Sequence, residues 1–211
     1  MPHLFNNCNF MKSFLFCISF ILLVTNSFGG GFIPCILIFR DSTSREAFAK
    51  IPDMMDNFVK YRDNMNSGKK EISSDDLIEI VFKQDSGNIS YQRILTYKNY
   101  GNKHVSSDKS WLKVLKTGYM TLYYGFEPAS NTPDINMWYC KKAKDSIAYF
   151  ISMKYSGALV MTFGTGQAFR KNASVYFGDY KELADDISNS KYKFEEIEKV
   201  VGLYNDWKEK K

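Results

Sequence analysis

The sequence predicts an α+β protein: a mainly antiparallel β-sheet or small barrel-like body, followed by C-terminal helices. Three observations carry this. Aromatic residues make up 16% of the chain, and tyrosine and phenylalanine dominate them, which favours strands. Short apolar runs separated by turn residues recur from Cys35 to Met153. From about Gln167 the apolar spacing changes to three and four.

The first element is a leader. Phe14 to Val24 is an apolar run preceded by Lys12 and followed by Ser27 and Gly29, small residues at −3 and −1 of a cleavage point. The run is shorter than the ~20 residues a spanning helix needs, and Gly29-Gly30-Gly31 would interrupt one. Residues 1–29 therefore read as a signal peptide, with Met11 as the natural start and residues 1–10 upstream of it. Export to the periplasm or the extracellular space follows, with outer-membrane association as one destination. Neither Cys17 nor Cys35 is preceded by the small residues of a lipidation site. No transmembrane anchor is expected after cleavage.

Removing the leader takes away Lys12 and no acid, so the formal charge falls from +5 to +4. That excess is spread along the chain without a basic stripe, and nucleic acid is not an expected partner. Lys141, Lys142 and Lys144 read as a solvated turn. Lys208, Lys210 and Lys211 sit where a helix dipole favours cations. Cys35 and Cys140 are the cysteines left, a candidate disulfide in an oxidising compartment if their geometry permits, and otherwise two buried thiols.

The body is assigned to residues 30–166. Cys35–Asp41 reads as a strand turning at Asp41-Ser42-Thr43-Ser44, with Arg45–Ile51 returning as its hairpin partner. Asn57–Arg62 follows as a strand. Ser73-Ser74-Asp75-Asp76 is a helix-start or turn signal before the run Leu77–Phe82, and Asp85-Ser86-Gly87-Asn88 is a turn. Tyr91–Tyr97, Trp111–Leu115, Tyr119–Tyr124, Ile135–Cys140 and Ser146–Met153 complete the strands. No linker separates the two β stretches, so a shared core is expected.

Residues 167–211 form the helical segment packed on that body. Phe169, Ala173 and Tyr176 or Phe177 share a face, as do Leu183 and Ile187. Phe194, Ile197, Val201 and Tyr204, with Leu203 and Trp207 beside them, make the clearest stripe. Glu195 and Glu196 early and lysines late match the helix dipole.

Chemistry is sparse. His104 is the one histidine of the mature chain, in a polar stretch that reads as a loop, so a multi-histidine metal site is excluded. No Gly-x-Ser-x-Gly elbow is present. Gly164-Thr165-Gly166 lacks the remainder of a phosphate loop or dinucleotide fingerprint, and no cofactor is expected. Tyr119, Thr121 and Tyr123 would share one face of their strand, making Tyr119 and Tyr123 candidate ligand-stacking residues if that face is exposed.

Trp111–Tyr124 contains Leu115-Lys116-Thr117-Gly118-Tyr119-Met120-Thr121-Leu122-Tyr123. It resembles the Leu–x–x–Gly–x–x–x–Leu–Tyr hairpin of uncharacterised secreted proteins of Bacteroidetes. Ser74–Phe82 is similar to their Ser–x–Asp–x–Ile turn and strand. Phe169 through Tyr176-Phe177-Gly178-Asp179 to Tyr204-Asn205 is similar to their C-terminal helices ending in Tyr-Asn. The resemblance spans roughly residues 72–205, while the N-terminal part departs from the Gly-Asp-rich hairpin of that group. It implies an envelope location and a β-then-helix architecture, and it brings no catalytic residues. Asp41-Ser42-Thr43 and Asp145-Ser146-Ile147 resemble the O-glycosylation sites of such bacteria.

Function is therefore expected to be a non-enzymatic binding or assembly module of the cell envelope, with another envelope protein, a peptide or a glycan as partner. The alternatives are a hydrolase using His104 with Cys140 or a serine, and a purely structural envelope component.

Overall fold

The computed structural model describes residues 31–99, 102–128, 133–156 and 165–211, with the side chains of 98–108 outside that description. The leader expected over 1–29 lies outside the described residues. Phe32–Lys211 forms one compact unit. Its strands are β1 (Ile33–Phe39), β2 (Ser44–Ala49), β3 (Phe58–Arg62), β4 (Lys70–Ser73), β5 (Leu77–Phe82), β6 (Ile89–Asn99), β7 (Asn102–Lys116), β8 (Met120–Glu127), β9 (Ile135–Lys142) and β10 (Ile147–Tyr155). Helices α1 (Thr165–Tyr176), α2 (Lys181–Ser188) and α3 (Ile197–Glu209) follow. The fold is α+β, as the sequence predicts.

The ten strands form one sheet in the order β10-β9-β8-β7-β6-β5-β1-β2-β3-β4, and β10 also pairs with β6. Strands β6 to β10 are an antiparallel meander, so the first and last run in the same direction. Closing an odd meander requires one parallel pair. That pair is Ile147↔Leu95 and Ala148↔Thr96. The interior of the resulting small barrel takes side chains from every strand: Ile94, Leu112, Tyr123, Met137, Tyr139, Ala148 and Phe150, with Met54 joining them.

Strands β1 to β5 hold a second core of Cys35, Leu37, Ala47, Ala49, Val59, Tyr61, Leu77, Ile80 and Phe82, into which β7 inserts Trp111. The indole N–H of Trp111 donates to Ser74 Oγ at 3.0 Å, and Ser74 Oγ donates to the Asp56 carbonyl at 2.7 Å. The Ser73–Asp76 signal thus becomes a 3-10 turn, with Ser73 Oγ accepting from the Asp75 N–H. At the first hairpin, Asp41 Oδ1 accepts from Thr43 N–H and Oγ–H while Ser42 takes φ 67°. The two β stretches share a sheet and bury two clusters, each of which takes a residue from the other stretch: Trp111 in the one and Met54 in the other. The edge strand β4 has no apolar pattern strong enough to predict it.

The helices cover the outside of β8, β9 and β10. Met120, Leu122, Cys140 and Ile151 lie under Phe169, Ala173, Phe177, Leu183, Ile187, Ile197, Val201 and Tyr204, the stripes the spacing predicts. A bulge at Ile151 makes this contact polar as well as apolar. An extra residue on one strand leaves a carbonyl without a ladder partner. Asn172 Nδ2 donates to the Ile151 carbonyl at 3.1 Å, and Ser152 Oγ donates to the Thr165 carbonyl at 2.9 Å.

A polar lock joins α3 to the start of β8. The Met120 N–H donates to Asn205 Oδ1 at 2.7 Å, and Asn205 Nδ2 donates to the Met120 carbonyl at 3.0 Å. The side-chain amide mimics a strand partner there. It fits because Gly118 adopts φ 153° and carries no Cβ, which would run into the Asn205 amide. Replacing Asn205 by Ala leaves two buried backbone groups unpaired, at about 1–3 kcal/mol each. Asn205→Ala and Gly118→Ala are each expected to lower the thermal midpoint by about 4 °C or more, read by circular dichroism, and the double variant by less than the sum.

Candidate functional site

The candidate site follows from the way β6 is shared. One edge of β6 pairs with β7; along the other, Ile89–Gln92 pairs with β5 and Leu95–Thr96 with β10. Arg93 and Ile94 lie where the partner changes, and β5 and β10 must diverge there. A cavity of about 460 Å³ opens at that point, lined by Ile78 and Glu79 of β5, Gln92 to Leu95 of β6, Lys109 of β7, and Lys141, Asp145 and Ser146 of the β9–β10 hairpin. A second cavity of about 320 Å³ shares Asp145 and Ser146 with it and is walled by Tyr97, Tyr149 and Tyr176. Side by side at Asp145 and Ser146, the two cavities make up the seam cleft.

The aromatic wall is assembled from three elements. Tyr149 of β10 and Tyr176 of α1 stack with centroids 4.8 Å apart and planes 5° from parallel. Tyr97 of β6 meets Tyr149 edge-on at 5.7 Å. Burial, reinforced by Tyr97, raises the pKa of Tyr149, so its hydroxyl stays protonated and able to donate. Tyr176 donates to Asp145 Oδ2 at 2.6 Å and accepts from the Lys142 N–H at 3.0 Å, fixing the hairpin against the helix.

Behind this wall lies an ion cluster. Lys142 Nζ and Lys208 Nζ each stand 3.0 Å from a different oxygen of Asp179, and Tyr204 donates to Asp179 Oδ2 at 2.7 Å. Burial works to raise the Asp179 pKa. Hydrogen bonds from Tyr204, Lys142 and Lys208 overcome it and hold the carboxyl at about 2. The Lys142 side chain is 12% exposed. It is no solvated turn residue, because the hairpin folds under α1.

The residues singled out by sequence are distributed otherwise. Tyr119 precedes β8 and packs on the helical side, its ring 6.3 Å from that of Tyr204 with Lys208 Nζ over it. Tyr123 is 2% exposed inside the barrel and donates to Gln92 Oε1 at 2.9 Å. They share no open face: Tyr119 lies outside the strand, where alternation does not hold. Cys35 and Cys140 are buried, free thiols in separate cores, which corrects the candidate disulfide. Burial raises Cys35 to about 11 and pushes Cys140 further up. Cys140 is thereby unsuited to act as a nucleophile. His104 falls within β7 rather than a loop. Ser42 and Ser146 are both exposed. The Gly164-Thr165-Gly166 turn opens α1, with Gly164 outside the described residues.

Among the described residues, no group of three or more His, Cys, Asp or Glu could hold a metal ion, and no helix is long and apolar enough to cross a membrane. No protein-family model, curated protein or solved structure matches the chain.

Two outcomes follow. In native protein under oxidising conditions, neither cysteine should react with a thiol reagent such as DTNB, and both should react after denaturation. Because the folded pKa of Asp179 is depressed, its contribution to stability is present above the unfolded value and is lost as pH falls through the folded one. The stability gap between wild type and Asp179→Asn should therefore be full at about pH 5–6 and shrink between about pH 4 and 2, measured by urea unfolding.

Proposed function

We propose that this chain is an exported binding module of the cell envelope and that the seam cleft is where it takes its ligand, a peptide or a glycan. The observation that carries the reading is the cleft itself: three half-buried tyrosines drawn from a strand of each side of the seam and from a helix, beside charged and amide side chains. Concave sites that combine aromatic walls with a few fixed polar groups are the usual form of ligand sites. Export is supported by the leader pattern over residues 1–29.

The hydrolase alternative loses its cysteine, since Cys140 is 0% exposed beneath the helices. Tyr97 and Tyr149 line an open cavity, whereas Tyr123 is enclosed in the barrel and Tyr119 packs against the helices.

The test combines fractionation with capture. The tagged protein should be recovered from the periplasm, the medium or the outer membrane, with an intact mass lacking residues 1–29. Envelope material retained by the wild type should be lost from Tyr97→Ala, whose melting temperature should stay within a few degrees because Tyr97 is half-exposed. Cytoplasmic recovery, or equal retention by the variant, would overturn the proposal.

A further inference from the structure

We propose that the ligand of the seam cleft is an acidic saccharide, its carboxylate held by Lys109 and Lys141 and its sugar ring set against Tyr97 and Tyr149. This rests on the cleft being the binding site and specifies what fills it. A sugar ring offers an apolar C–H face and a rim of hydroxyls, and the cleft offers a counterpart to each. Tyr97 and Tyr149 provide aromatic surface; Gln92, Ser146 and the phenol hydroxyls provide donors and acceptors.

The geometry disfavours an extended peptide. Strand addition needs a free edge several residues long. Here Gln92 is already paired with Glu79 and Leu95 with Ile147, leaving Arg93 and Ile94 alone between the two pairings. The opening is a cavity rather than an edge, and the larger part, about 460 Å³, falls in the range of small-ligand sites.

The charges point to an acid. Both carboxylates in the cleft are engaged: Asp145 by the Tyr176 hydroxyl, and Glu79 by a short hydrogen bond from Ser90 Oγ. Lys109 and Lys141, by contrast, stand in no ion pair among the described residues, and the Lys141 Nζ contact is with the backbone carbonyl of Asp145 at 3.3 Å. Burial lowers the Lys109 pKa, and the positive charges of Arg40 and Arg93 lower it further against the opposing pull of Asp75. An arriving carboxylate relieves that repulsion and forms charge-assisted hydrogen bonds to both ammonium groups.

The test is titration calorimetry on the protein as isolated from cells, with trigalacturonate and with its neutral methyl ester. The acid should bind at least about tenfold more tightly than the ester, as two charge-assisted bonds would require. That preference should vanish in Lys109→Ala/Lys141→Ala and persist in Lys109→Arg. Equal affinity for acid and ester, or an acid preference untouched by the double variant, would overturn the proposal, as would inorganic phosphate competing as well as the saccharide. If neither saccharide binds while Tyr97→Ala still abolishes retention of envelope material, the acidic saccharide falls and the binding site stands. If Tyr97→Ala has no effect in either assay, both fall.

Discussion

One edge of β6 serves two neighbours, and the rest of the architecture depends on that division. A strand edge offers one row of donors and acceptors, so β5 and β10 occupy successive stretches of it. The pairing with β10 closes the meander into a barrel, and the pairing with β5 attaches the N-terminal strands. One core cluster lies with the strands on the β5 side of that division and another with the strands that the β10 pairing closes. The cleft is the residue of the same constraint: two strands leaving a common edge cannot remain in contact at the point of departure.

The helices complete the barrel rather than decorate it. Strands β8, β9 and β10 present an apolar outer face that needs cover, and the three helices supply it with a continuous stripe of large side chains. Polar groups set the register of that cover. Asn205 completes hydrogen bonds at Met120, Asn172 satisfies the carbonyl exposed by the bulge at Ile151, and Asp179 gathers Lys142, Lys208 and Tyr204. Apolar packing is tolerant of small slips; buried hydrogen bonds of this kind are not. The same cover fixes Tyr176 against Tyr149, so the seam cleft has an ordered aromatic wall.

The two motifs that drew attention as separate signatures prove to be halves of one contact. Gly118 belongs to the hairpin motif and Asn205 to the Tyr-Asn ending, and they meet between β8 and α3. Spacing in the chain held no sign of it, since the residues lie far apart and neither is apolar. Similarly, Tyr97 reads as the end of a strand, Tyr149 falls inside the strand Ser146–Met153 and Tyr176 reads as an alternative to Phe177 on the shared face of its helix. Their convergence depends on the parallel seam and on the angle of α1, which no local pattern encodes.

What the sequence determined by itself is the order and type of the elements. Alternation and turn residues mark most of the strands because each reports a local backbone preference, and the stripes of Phe169, Leu183, Ile187, Ile197, Val201 and Tyr204 mark the buried faces of the helices for the same reason. Tertiary structure alone decided the closure through β6 and β10, the burial of Tyr123 and the two thiols, the ion cluster on Asp179 and the cleft. Each of these is a meeting of residues distant in the chain, set by which edges and faces remain unpaired once the local elements have formed.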